Sequence, residues 1–150
     1  MRINYGELEP GAVKAVYALK EYVSGTGLEQ SLISLIEIRA SQINGCAYCL
    51  DMHTQDAIAE GETEQRIFCI SAWRDAPFYT ERDRAALALT EAVTLISKDG
   101  VTDELYQRVM QNFNEHEYVG LLMAINTINC WNRLSIACGR TAGMYKRKKS

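Results

Sequence analysis

Two cysteines three apart, with a histidine four residues after the second, lie in the stretch Asn44-Gly45-Cys46-Ala47-Tyr48-Cys49-Leu50-Asp51-Met52-His53. On an α-helix at about 100° per residue, Cys46 and His53 differ by about 20° in azimuth and Cys49 lies about 40–60° away. All three side chains therefore share one face within two turns. Two thiols and an imidazole at close range make a redox constellation. A peroxide oxidises one thiolate to a sulfenic acid, the other thiol condenses with it to a disulfide, and a reductant resets the pair. The departing alkoxide or hydroxide needs a proton, and His53 is the natural donor. Cys46 falls at the expected helix N-terminus, where free N–H groups and the macrodipole favour an anion. His53, one turn after Cys49, can take a proton from that thiol or hydrogen-bond its thiolate.

Two other readings compete. A zinc site would find three ligands in Cys46, Cys49 and His53, whereas structural zinc takes four. The remaining histidine, His116, lies far along the chain at a loop-to-helix junction and reads as a surface residue. Alternatively, both thiols are simply buried. Cys69, Cys130 and Cys138 have no such partners in sequence, fall in apolar helical stretches and read as packing residues. Tyr48, between the paired cysteines, either packs or lines the site.

The elements that must hold this face are helical nearly throughout. Ala12, Val16, Leu19 and Val23 form an amphipathic stripe entered near Pro10 and broken at Ser24-Gly25-Thr26-Gly27. A second helix carries Leu28, Leu32, Leu35, Ile36 and Ile43, apolar around most of its circumference, and so should lie deep. Asn44-Gly45 is a turn signal directly before Cys46. A third helix runs from about Cys46 to Ala59, with Gly61 in a C-terminal capping role. A short fourth runs from Thr63 through Trp73. Thr80 with Asp83 opens a fifth, to about Ile96, with the stripe Ala85, Leu87, Leu89, Ala92, Val93 and Ile96. Thr102 caps a sixth, to about Asn112. Asn114 with Glu117 opens the last and longest, ending near Gly139. That helix is apolar on several faces, which a subunit interface or a central core position would explain. No segment alternates at period two. The fold expected is all-α, a single-domain bundle of six to seven helices over residues 1–150.

Composition narrows the function. The 150 residues are 47% hydrophobic, with two prolines and ten glycines, as in a folded globule. A net charge of −3 gives no electrostatic case for nucleic acid. Lys146-Arg147-Lys148-Lys149 reads as a solvated basic tail. The longest apolar run, Leu121 to Ile125, is too short to span a bilayer. With no secretory pattern in Met1 to Glu9 and an odd number of cysteines, five, the expected compartment is the cytoplasm.

From Ile38 through His53 the sequence resembles the carboxymuconolactone decarboxylase superfamily, in particular its alkyl hydroperoxidase D-like branch. The similarity extends through Asp56-Ala57, Gly61-Glu62-Thr63, Ala72-Trp73-Arg74, Glu81 to Glu91 and Ile128 to Leu134. The resemblance implies an all-helical fold, assembly into trimers or hexamers, and thiol-dependent reduction of hydroperoxides with no metal, haem, flavin or other cofactor. It implies a dithiol reductant, either a protein or a lipoyl-type donor. It also implies Cys49 as the peroxidatic residue, Cys46 as the resolving one and His53 in a proton relay. The family motif completes that relay with a glutamate twelve residues before the first cysteine. Here that position is Ser34, with Glu37 one turn on and Glu91 on a mostly apolar helix as the other acids to consider. The histidine-rich variant of the cysteine motif is also absent, Tyr48 standing within it.

The expected activity is therefore a thiol peroxidase cycling Cys46 and Cys49. A redox-sensing or disulfide-exchange module is the alternative. Lactone decarboxylation, the superfamily's other chemistry, needs no redox dithiol and ranks behind both.

Overall fold

The structure, a computed structural model, describes residues 1–147. Among them are eight α-helices and no strand: α1 (Tyr5–Leu8), α2 (Pro10–Ser24), α3 (Gln30–Asn44), α4 (Ala47–Ala59), α5 (Glu64–Cys69), α6 (Glu81–Thr94), α7 (Asp103–Met110) and α8 (Glu115–Ala137). A 3-10 turn, Ile70–Ala72, extends α5. The all-helical single domain matches the sequence reading, with the short α1 added ahead of the expected seven.

The helix starts follow from capping chemistry. Thr80 and Asp83 form a reciprocal capping box on α6, and Asn114 and Glu117 form one on α8. Thr102 accepts from the Leu105 N–H at the start of α7. The ends differ slightly from expectation. Helix α6 stops at Thr94, so Ile96 falls beyond its cap and is exposed rather than part of the stripe.

Helix α3 is the centre of the molecule. Its Leu32, Ile33 and Ile36 pack into one apolar cluster with Leu89 of α6 and Ile125 of α8. Its Leu35 and Ile38 pack into a second cluster with Ala57 of α4, Ile67 of α5 and Leu87 of α6. A helix apolar nearly all round is buried nearly all round. On α8, Leu121, Ile125 and Ile128 are in the core, which accounts for one of its apolar faces. Val119 and Ile136, near the two ends of the helix, remain exposed.

Two glycines direct the chain around the cysteine pair. Gly45, at φ +69°, ends α3: its N–H donates to the Gln42 carbonyl (3.2 Å) and the Cys46 N–H to the Ser41 carbonyl (3.0 Å). This is the Schellman arrangement, and its left-handed residue favours glycine. Gly139, at φ +69°, ends α8 in the same way, with Arg140 N–H donating to the Ser135 carbonyl at 2.9 Å. The chain then crosses α4. Gly143 N–H donates to Asp51 (2.8 Å), and the Tyr145 hydroxyl donates to Asp56 (2.8 Å). Of the basic tail, Arg147 reaches the same Asp56, with Nε 3.8 Å from its carboxylate. Lys148 and Lys149 lie outside the described residues. None of the helices is long and apolar enough to cross a membrane, among the described residues.

Candidate functional site: a disulfide beside a histidine–glutamate pair

The Schellman turn delivers Cys46 as the N-cap of α4, where its sulfur accepts the Cys49 N–H at 3.4 Å. Cys46 and Cys49 are joined as a disulfide, with Cα atoms 5.3 Å apart. Both residues are 1% exposed. The remaining thiols, on Cys69, Cys130 and Cys138, are free, the first two half-buried and the third buried.

One turn beyond Cys49, His53 is 5% exposed. Its Nδ1 lies 2.9 Å from Oε2 of Glu37. Its Nε2 is buried and has no hydrogen-bond partner. A buried polar nitrogen left free next to a reactive group is an atom with a proton still to give or receive. The carboxylate holds the ring by one nitrogen and leaves the other for chemistry.

Helices α3 and α4 form an antiparallel hairpin, and this decides which acid meets the histidine. Glu37 faces His53. Ser34, one turn earlier on α3, falls one turn later along α4, in a separate cleft with Ala57, Glu60 and Arg66. Ser34 is thus not part of the histidine site. Glu91 is not part of it either. Its carboxylate accepts from Arg39 Nε (2.8 Å), Trp73 Nε1 (2.9 Å) and Arg74 (2.6 Å). Arg39 is two residues after Glu37 on α3, hence on the opposite face of that helix. Burial alone would raise the Glu91 carboxyl, but the hydrogen bonds from Arg74, Trp73 and Arg39 outweigh it and hold it below the ordinary value. Glu91 is a structural clamp.

Cys49, His53 and Glu37 open onto one cavity of about 210 Å³. Cys46 does not line it. Tyr48 lines it, as one of its two expected roles required. The other walls come from elements that the cysteine motif gave no reason to consider. Tyr17 and Lys20 enter from α2, and Trp131 enters from α8. Tyr17 and Trp131 meet edge to face, with ring centroids 5.2 Å apart. Arg140 and Tyr145 enter from the segment after α8. The Arg140 guanidinium lies over the Tyr48 ring, 4.3 Å from its centroid. Burial and the neighbouring Asp56 carboxylate push the Tyr145 hydroxyl up to about 12. The Gly139 stop signal was the only sequence mark of this wall; where the chain goes after it depends on tertiary contacts. Among the described residues no group of three His, Cys, Asp or Glu side chains is placed to hold a metal ion.

Known proteins share the sequence family and the fold of this chain. The carboxymuconolactone decarboxylase family matches residues 10–92. A Bacillus subtilis (strain 168) protein, uncharacterized and named YdfG, is 47% identical over 141 residues, covering 94% of this chain and 96% of its own. The crystal structure of an Agrobacterium tumefaciens protein of unknown function, provisionally described as the antioxidant defence protein AhpD, superposes with a TM-score of 0.92. That protein is 42% identical, and the match covers 96% of this chain and 99% of its own. The debrominase Bmp8, solved in complex with 2,3,4-tribromopyrrole, shares the fold at a TM-score of 0.82 and 18% identity, over 92% of this chain and 74% of its own.

Proposed function

Because the chain belongs to the carboxymuconolactone decarboxylase family, and carries a cysteine pair in disulfide geometry beside a histidine–carboxylate pair, we propose that it is a thiol-dependent peroxidase of the alkyl hydroperoxidase D type. The observation that carries this reading is the convergence of Cys49, His53 and Glu37 on one cavity.

In the reduced protein the Cys49 thiolate attacks the terminal oxygen of a hydroperoxide. The O–O bond breaks, an S–O bond forms, and the departing alkoxide takes a proton from His53 Nε2, leaving as an alcohol. Glu37 at Nδ1 orients the ring and stabilises the imidazolium between turnovers. Cys46 then attacks the Cys49 sulfenic acid, forming the disulfide and releasing water. The Schellman turn keeps the two sulfurs within bonding reach.

Reduction uses the asymmetry of the pair. A dithiol donor, a protein or a lipoyl-type group, attacks the sulfur that lines the cavity, that of Cys49. Cys46 leaves as a thiolate at the N-terminus of α4, where the Cys49 N–H already points at its sulfur. The helix-end preference for an anion on Cys46 and the peroxidatic role of Cys49 are thus compatible: one concerns leaving, the other access. The donor's second thiol then releases the mixed disulfide, leaving the donor oxidised and Cys46 and Cys49 reduced. Assembly into a trimer or hexamer belongs to the same reading.

The test is a coupled assay with cumene hydroperoxide and dihydrolipoamide, run on the wild type and on Cys49→Ser. Turnover that vanishes in the variant supports the assignment. Reversible oxidation without turnover would instead favour a redox-sensing module, and full turnover in Cys49→Ser would refute it.

A further inference from the structure

The cavity beside Cys49 carries more positive charge than the thiol chemistry calls for. Lys20 and Arg140 both line it, and neither has a carboxylate within salt-bridge distance among the described residues. The one acid in the lining, Glu37, is already engaged by His53. Arg140 is also placed by the fold. The Gly139 stop sets its backbone, and stacking on Tyr48 sets its guanidinium. Eight of the other nine arginines in the described structure spend their charge on an acid or on backbone carbonyls. Among the described residues the Arg140 guanidinium has no acid or carbonyl partner; it lies over the rings of Tyr48 and Tyr5 and donates to the Tyr5 hydroxyl at 3.4 Å.

The remaining walls are mostly flat and aromatic, from Tyr17, Tyr48, Trp131 and Tyr145, with Met52 and Ser135 between them. The size is also selective. An apolar cavity of about 150 Å³ holds benzene, so one of about 210 Å³ admits a single ring with small substituents.

Together these features point to a substrate class. We infer that the cavity selects a small aromatic molecule bearing a carboxylate, with Lys20 and Arg140 receiving the negative charge and the aromatic walls receiving the ring. This rests on the thiol-peroxidase reading for its chemistry: the substrate is then a carboxylated aryl hydroperoxide, cleaved at Cys49 as above. Lys20 and Arg140 act on selection and Cys49 on the bond, so the two can be tested apart.

Binding is measured first, by calorimetry on the full chain at low salt. The probes are 4-isopropylbenzoate and 4-isopropylbenzyl alcohol, which match in shape and differ in charge. The acid should bind at least tenfold more tightly, and the preference should shrink with added sodium chloride. In a Lys20→Gln/Arg140→Gln double variant with an unchanged circular dichroism spectrum, the preference should fall below twofold. Arg140→Lys should keep part of it. A preference below threefold in the wild type, or one that survives in the double variant, overturns the inference. Turnover of cumene hydroperoxide against its 4-carboxy derivative is measured next. The kcat/KM ratio of acid to neutral peroxide should exceed ten and drop about tenfold in Arg140→Gln. If the acid probe binds as expected but neither peroxide is reduced, the peroxidase reading fails and the anion site stands. If both peroxides are reduced equally and the probes bind equally, the anion site fails and the peroxidase reading stands.

Discussion

The carboxylate of Glu37 stands 2.9 Å from Nδ1 of His53, and no other acid in the described structure reaches that ring. An anion on one nitrogen fixes the ring's orientation and leaves Nε2 without a partner. General acid catalysis by a positioned side chain contributes about 10²–10⁴-fold. Glu37→Gln keeps the shape and removes the charge. It should lower kcat/KM for hydroperoxide by about ten- to a hundredfold, and His53→Gln should lower it further, toward the bare thiol rate. The double variant should be no worse than His53→Gln alone, because Glu37 acts through the ring. A coupled peroxidase assay on the three variants checks the order.

The two cysteines should separate cleanly. Cys49→Ser should form no intramolecular disulfide and give no turnover. Cys46→Ser should consume about one equivalent of hydroperoxide in a single burst and then stop, with the sulfenic acid trapped on Cys49. Mass mapping after dimedone treatment should place the adduct on the peptide containing Cys49.

A buried amide network holds the turn before Cys46. Asn44 Nδ2 donates to Asn129 (2.9 Å) and Asn132 (2.8 Å), and Asn132 Nδ2 donates to Ser41 (3.0 Å). Asn132 is 0% exposed. Asn132→Ala removes one partner each from Asn44 and Ser41 inside the protein, at a cost of about 2–4 kcal/mol. Urea unfolding should show the loss as a lower midpoint at an unchanged slope. Because Ser41 also accepts the Cys46 N–H, the variant should loosen the Cys46–Cys49 geometry and slow disulfide closure after peroxide addition.

Glu91 should show itself in the acid limb of stability. Its folded-state value lies below the ordinary 4.5, so its contribution is present above about pH 4.5 and is lost as pH falls through the lowered value. Glu91→Gln should therefore cost about 1–3 kcal/mol at pH 7. Below the folded-state value, the variant and the wild type should converge. Denaturant titrations at pH 7, 5 and 3 test the convergence. A difference that grows on acidification would contradict the sign.

How much of this was legible in the sequence depends on range. Capping residues are local, and Thr80 with Asp83, Thr102, and Asn114 with Glu117 mark their helices in the chain as in the fold. The cysteine–histidine face is local too, since one helix carries it. The acid at the histidine is not. Ser34 and Glu37 are a turn apart, and only the antiparallel register of α3 on α4 selects between them. Glu91, the other acid on a mostly apolar helix, is taken up by Arg39, Trp73 and Arg74, which only the tertiary fold brings to it. The cavity walls were the least legible part. Lys20, Trp131 and Arg140 come from three places in the chain that share no pattern, and tertiary packing alone gathers them.

Helix α3 contributes buried residues to both apolar clusters. Its central amides should be among the last in the molecule to exchange with deuterium, at rates set by global unfolding. Glu37 rides on that slowest segment. The strap from Gly139 to Arg147, held over α4 mainly by the carboxylates of Asp51 and Asp56, should exchange orders of magnitude faster. A ligand reaching Cys49 should therefore displace the strap more readily than the α3 backbone that carries Glu37.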